Sequence, residues 1–396
     1  MRRGWPLVLA ALVGTGCGMS GISIFTLGVM TKPLAETFGW SRAEIQGLLS
    51  CFVVGALVGS PLVGLLMDKY GVRGVTIAST IGFAVGLSAL GLLTNSLIQF
   101  YAYGLAAGVL GAGTTSVTWS RAIMAWFRQR RGLALGLALT GSGFCAMLAP
   151  LYATWLLEDF GWRQAYVGLA LLPVVVSLPL ALLFLRPPPE ASTTENIAVA
   201  AGKSLAEALR SYSFWGIGLG LLLAGFGTSG IVPHLIPLLT DRGLTAMDAA
   251  RIAGSLGLAV IAGRALAGYL LDRFWAPAVA AVVLGVPAVA SVILAGDQHS
   301  VAVTTAAAML VGLAGGAEYD LLAFLTARYL GLRRFGAIYG CMYGVFISGT
   351  GVAPVVFGAV FDSQGSYVIA LYGAAACFVG SAATLLTLGK YPAETR

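Results

Sequence analysis

The chain has 396 residues, of which 58% are hydrophobic and only 10% charged, and its mean hydropathy is +0.89. A soluble domain carries roughly 25% charged residues, so this composition excludes a soluble fold, and with it collagen, coiled-coil, disordered and disulfide-scaffold classes. The strands of an outer-membrane barrel would alternate rather than run apolar, which leaves a polytopic, all-α membrane protein.

A spanning helix takes roughly 20 apolar residues. Apolar runs bounded by charges place twelve spans, in chain order, at 5–31, 45–66, 74–94, 98–124, 132–155, 164–185, 213–238, 250–271, 276–295, 301–327, 335–360 and 366–388. Loops must then be short, and no extramembrane catalytic domain fits. The first run follows Arg2 and Arg3 but has no small-residue cleavage site, which predicts a retained span. Residues 186–212 are the one long polar interruption; Pro187, Pro188 and Pro189 with Ser192, Thr193 and Thr194 make them a linker. A short surface helix is expected over 203–211. The domain reading is an N-terminal six-helix bundle (1–185), a cytoplasmic linker (186–212), a C-terminal six-helix bundle (213–388) and a cytoplasmic tail (389–396).

Orientation follows from the basic residues. With the N-terminus inside, sixteen of the 23 lie at cytoplasmic ends and loops, and five lie outside: Lys32, Arg42, Arg163, Arg242 and Arg251. This positive-inside bias predicts a multi-pass protein of the cell (inner or plasma) membrane with both termini in the cytoplasm. The net charge of +7 then reports topology and the lipid bilayer as partner, not nucleic acid. Cys17, Cys51, Cys145, Cys341 and Cys377 fall inside spans without metal-ligand spacing. No P-loop, GxSxG or HExxH motif is present, so no enzyme activity, metal or cofactor is expected.

The two halves align at a constant offset of 204 positions. Gly39 answers Gly243, Ser41 answers Thr245, Glu44 answers Asp248, Gly59 answers Gly263, Asp68 answers Asp272, Lys69 answers Arg273, and Gly161 answers Gly365. Two six-helix bundles related by an axis along the membrane normal are the architecture of alternating-access carriers.

The loop Gly64-Leu-Leu-Met-Asp68-Lys69-Tyr-Gly71-Val-Arg73 resembles the loop 2–3 signature of the major facilitator superfamily, with a partial echo at Gly268-Tyr-Leu-Leu-Asp272-Arg273. The segment Phe127-Arg-Gln-Arg130-Arg131-Gly-Leu133-Ala134-Leu-Gly136-Leu-Ala138-Leu-Thr-Gly141 resembles the fifth-span signature of the monocarboxylate transporter family. Gly263-Arg264 is similar to that family's eighth-span arginine. The resemblance implies proton-coupled transport of a short monocarboxylate such as lactate or pyruvate. Animal members carry an aspartate where this chain has Val260, and a first-span lysine that this chain lacks. Their coupling residues therefore do not transfer, and the chain resembles a prokaryotic relative. The related oxalate–formate exchangers use a second basic residue in the eleventh span; none lies between Phe335 and Phe361.

Four charged residues lie well inside spans: Arg121, Arg264, Glu318 and Asp320. An ionisable group at membrane depth is a functional hypothesis by default. Arg264 lies eight residues from Asp272, about 12 Å deep at 1.5 Å per residue, near the midplane. Its guanidinium can clamp a carboxylate with two parallel hydrogen bonds, or it can pair structurally with Glu318 or Asp320. Those acids lie at about 15 and 12 Å from the inner end, in the same layer. Residues i and i+2 point about 200° apart, so one acid can couple a proton while the other packs against a partner; the spacing does not choose between them. One arginine and one carboxylate make a neutral site, which a monocarboxylate and a proton leave neutral. The repeat counterparts of Arg264, Glu318 and Asp320 are Ser60, Thr114 and Ser116, so the charges belong to one half. Thr115, Trp119, Tyr319, Tyr343 and Phe346 are candidates to line the rest of the substrate site. Arg121 is expected to join a gate with the motif residues Gly64, Asp68, Lys69, Arg73, Asp272 and Arg273, which would latch the two bundles in one access state. The expected working unit is the monomer. An organic-anion exchanger or another carrier of the superfamily is the alternative function.

Overall fold

The computed structural model describes residues 4–127, 131–186, 202–296, 300–331 and 333–391. Arg2, Arg3, Arg128, Arg130, the linker prolines and most of the C-terminal tail lie outside the described residues.

Among the described residues, ten helical stretches are long and apolar enough to cross a membrane. Two of them, Arg42–Leu93 and Leu133–Phe184, run for 52 residues. At 1.5 Å per residue each is about 78 Å long, more than twice a hydrocarbon core of roughly 30 Å, so each holds two spans. The joints are Gly71 (φ +79) and Gly161 (φ +80), where the left-handed φ suits glycine. Ten stretches therefore carry the twelve spans.

The repeat offset recurs as local geometry. Gly39 and Gly243 have φ of +71 and +90, and Gly161 and Gly365 of +80 and +67. Ser41 caps the second span: its hydroxyl accepts from Glu44 N at 3.2 Å, and Glu44 accepts from Ser41 N at 2.8 Å. At the equivalent place Thr245 accepts from Asp248 N at 3.1 Å and donates to the Asp248 carboxylate at 2.8 Å. At both places the Ser41 or Thr245 hydroxyl thus accepts a free first-turn N–H, and the acid three residues on bonds back to that cap residue.

Several spans are broken. The first is two helices, Trp5–Gly16 and Met19–Phe38, and the fourth is Leu97–Gly111, a 3-10 turn Ala112–Thr114, and Ser116–Trp126. Gly18 and Thr115 are extended at the breaks. The two breaks satisfy each other: Met19 N donates to the Thr114 hydroxyl at 3.0 Å. A methyl on Gly141, in the fifth-span signature, would collide with the Leu12 carbonyl, so that glycine permits backbone contact between spans five and one. Uninterrupted apolar runs hid these breaks, because glycine reads as neither polar nor charged. In the sixth span a π turn, Pro173–Ser177, follows from the missing N–H of Pro173.

The chain divides into two compact units. One comprises the described residues of Met1–Thr193 together with Val232–Leu258; the other comprises those of Thr194–Ile231 and Ala259–Arg396. In the first, Leu7, Val8, Trp119, Ile123 and Ala138 belong to one buried cluster. In the second, Phe214, Leu221, Leu321, Leu325, Met342 and Phe346 form the core. The linker's far end carries a short helix, Leu205–Leu209, capped by Ser204; the hydrogen bonds from Ser204 hold the Glu207 carboxyl below its usual range.

Candidate functional site

The site is built on a close helix crossing in the second unit. A methyl on Gly263 would strike the Leu313 carbonyl, and one on Gly316 would strike the Val260 carbonyl. This reciprocal glycine pair lets spans eight and ten touch backbone to backbone. Val260, where animal relatives are expected to carry an acid, packs on span ten and is buried.

The crossing brings Arg264 to Asp320. Arg264 Nε lies 3.4 Å from the Asp320 carboxylate and donates to the Gly316 carbonyl at 3.4 Å. Both are long contacts. The Arg264 side chain is 10% exposed, and its Nη1 is buried with no hydrogen-bond partner. A guanidinium carries five donors, and Nη1 is left unsatisfied while Nε is held by Asp320 and Gly316.

Glu318 points elsewhere. It is 4% exposed and accepts a hydrogen bond from the Thr228 hydroxyl of span seven at 2.7 Å. The two acids separate as i and i+2 require: Asp320 faces the arginine, and Glu318 faces a neutral hydroxyl. Thr228 was invisible in the sequence, since one threonine in an apolar span carries no signal.

Tyr319, Tyr343 and Phe346 come together beside these acids. Tyr319 lies 5.3 Å from Phe346, edge to face, and 6.3 Å from Tyr343. Phe346 is enclosed, whereas Tyr319 is 36% exposed. The aromatic row continues along span eleven through Tyr339, stacked 6.4 Å from Tyr343, to Phe335, 5.5 Å further on. Its four-residue period was legible in the sequence, although Tyr339 was not singled out.

Thr115 and Trp119 belong to the first unit. The Thr115 hydroxyl donates to the Ala112 carbonyl at 3.0 Å, at the break of span four. Trp119 is 1% exposed, its ring lies against Gly14, and its indole N–H has no partner. In this structure Trp119 is a packing residue of its own unit.

Of the gating candidates, Arg121 and Asp68 form an ion pair within the first unit. Arg73 donates to the Leu182 carbonyl at 2.7 Å, tying the motif loop to span six, and Lys69 lies over the Tyr70 ring. Gly64 has open space around it. Arg273 stacks on the Tyr269 ring at 3.9 Å. The Asp272 carboxylate has no ion pair among the described residues. Asp68 and Arg121, 53 positions apart, thus meet inside one unit.

Paired helices, repeated caps and charges held between spans are the parts from which membrane carriers are built. The profile of the Major Facilitator Superfamily matches residues 11–354, and the chain belongs to that superfamily. It is 28% identical to human monocarboxylate transporter 11 over 280 residues, which is 69% of this chain and 58% of that protein. It is 27% identical to rat monocarboxylate transporter 13 over 394 residues, 98% of this chain and 89% of that one. A solved structure similar in fold is an inward-facing bacterial homolog of the human lysosomal transporter Spinster. Its TM-score is 0.70 at 18% identity, covering 97% of this chain and 95% of that one.

Proposed function

We propose that the protein is a proton-coupled carrier of a short monocarboxylate of the lactate or pyruvate type, working by alternating access as a monomer in the cell membrane with both termini cytoplasmic. The observation that carries the reading is the buried, unpartnered Nη1 of Arg264, on a guanidinium braced from one side by Asp320 and the Gly316 carbonyl. A buried charged donor without an acceptor is costly, and a carboxylate supplies the missing acceptor with two parallel hydrogen bonds. Substrate binding would then compete with Asp320 for the guanidinium.

Glu318 is the better proton carrier of the two acids. An ionised carboxylate buried without a cation is expensive; a protonated one is not. Asp320 has its cation, whereas Glu318 has only Thr228. The partly exposed Tyr319, with Tyr343 behind it, gives the acyl tail an apolar wall. The related names at low identity support the substrate class.

The test is uptake of labelled lactate into proteoliposomes under an imposed proton gradient. Uptake is expected to rise as the outside pH falls, and in Arg264→Ala to drop at least about tenfold at low lactate concentration. Full uptake by Arg264→Ala, or by a variant with both Glu318→Gln and Asp320→Asn, overturns the mechanism. Counterflow stimulation without pH dependence would make the protein an exchanger.

A further inference from the structure

Two basic residues that the charge count assigned to topology meet an acid in the first unit. Asp241 accepts from Lys32 at 2.8 Å and from Arg42 at 2.7 Å. Lys32 lies in the outer helix of span one, Arg42 opens span two, and Asp241 is the last residue of the helix Tyr212–Asp241. One carboxylate thus ties three spans at the face that the charge count puts outside.

Two of these charges are placed against their own helices. A carboxylate at a helix C-terminus and a guanidinium at an N-terminus each face the like-signed end of the helix dipole. Neither charge is favoured by the end of its own helix, and the ion pair between them offsets that cost on both sides.

The layers beneath the triad are closed as well. One turn further in, a methyl on Gly28 would collide with the Pro233 carbonyl, so spans one and seven meet at the backbone. Gln46, one turn from Arg42, donates to the hydroxyl of Thr31, next to Lys32, at 3.2 Å; both are fully buried. A methyl on Gly257 would likewise strike span five at Gly143 and Met147. Charge, a buried polar pair and backbone contact are stacked at one end of the unit.

We propose that Asp241, Lys32 and Arg42 are the outer gate of the carrier, closed in this structure and broken when the site opens to the outside. Two bases against one acid leave the rim net positive when the gate parts, and a rim of that sign draws anions toward the opening. The proposal rests on alternating access and not on the substrate's identity. Asp241, Lys32 and Arg42 are gating residues and do not touch the substrate.

The test is hydrogen–deuterium exchange of the full chain in lipid nanodiscs, which reads both faces without any substrate. Asp241→Asn is expected to raise exchange at the outer ends of spans one, two and seven by at least about fivefold. Exchange around Asp68, Arg121 and Asp272 should fall in the same sample, because a carrier that opens outside closes inside. Inverting the signs with Lys32→Glu, Arg42→Glu and Asp241→Arg together should restore both patterns. Looser outer ends with an unchanged inner face would make the triad a structural tie and overturn the proposal, as would failure of the inverted variant to restore the pattern. If Asp241→Asn does not fold, Lys32→Gln is read in the same way. Loss of lactate uptake with the expected exchange pattern intact would count against the substrate reading and leave the gate standing.

Discussion

Spans two and four cross in the first unit in the same way as spans eight and ten cross in the second. A methyl on Gly59 would meet the Val109 carbonyl, and one on Gly263 the Leu313 carbonyl; both pairs are 204 positions apart. The backbone approach is therefore common to both halves, and the chemistry mounted on it is not. Where the second unit has Arg264, the first has Ser60, whose hydroxyl donates to the Ala56 carbonyl of its own helix at 2.6 Å. Where the second has Glu318, the first has Thr114, which accepts from Met19 N and donates to the Gly111 carbonyl at 2.7 Å. Packing is satisfied by neutral groups, so it does not call for the charges. An arginine at membrane depth costs about 2.5–3.5 kcal/mol on insertion scales, and the half that carries it leaves one of its donors unsatisfied. The difference between the two crossings is the strongest argument that Arg264 serves a ligand.

The largest effect should come from removing that difference. Arg264→Ala loses charge-assisted hydrogen bonds of about 1.5–3 kcal/mol, a roughly 10- to 150-fold loss of affinity, read as the concentration dependence of uptake. Arg264→Lys keeps the charge but not the planar fork and should fall between. Next comes Glu318→Gln, which should leave counterflow intact while flattening the pH dependence of net uptake; unchanged pH dependence would assign the proton elsewhere. Thr228→Val removes one hydrogen bond from Glu318 and should shift the pH profile by about 1 kcal/mol, near fivefold. Gly59→Val and Gly263→Val test the shared part: each overpacks a crossing and should lower stability by about 1–3 kcal/mol, measured as a thermal midpoint in detergent. A stable Gly263→Val would mean that the crossing does not hold Arg264 against Asp320.

The sequence made some of this legible and hid the rest for physical reasons. The charge scarcity exposed Arg264, Glu318 and Asp320, because Arg121 is the one other charged side chain that the sequence places well inside a span. The 204 offset was readable in Gly39, Ser41 and Glu44, which are turn and cap residues with fixed requirements on φ and on hydrogen bonding. Which acid faces the arginine was not readable, since i and i+2 state only that the acids diverge; the rotation of span ten against span eight decides it. The breaks at Gly18 and Thr115 were hidden because their lost backbone bonds are replaced across spans, by Thr114, rather than by local sequence. The joining of Lys32 and Arg42 at Asp241 was hidden for a similar reason: each of the two bases had a sufficient explanation as a topology signal.

The smallest expected effect bears on the comparison most directly. Ser60 stands where Arg264 stands, yet its hydroxyl bonds back to its own helix, an arrangement that serine can lose with little cost to the helix. Ser60→Ala should change the thermal midpoint by no more than about 0.5 kcal/mol equivalent and leave uptake and its pH profile unchanged. Should Ser60→Ala instead depress uptake as Arg264→Ala does, the first unit's crossing would be contributing to the ligand site, and the asymmetry of charge would no longer mark where the carboxylate is held. With Ser60 silent and Arg264 essential, two crossings of the same backbone design have divided the work: one holds helices together, and the other holds them together around an unfinished set of hydrogen bonds.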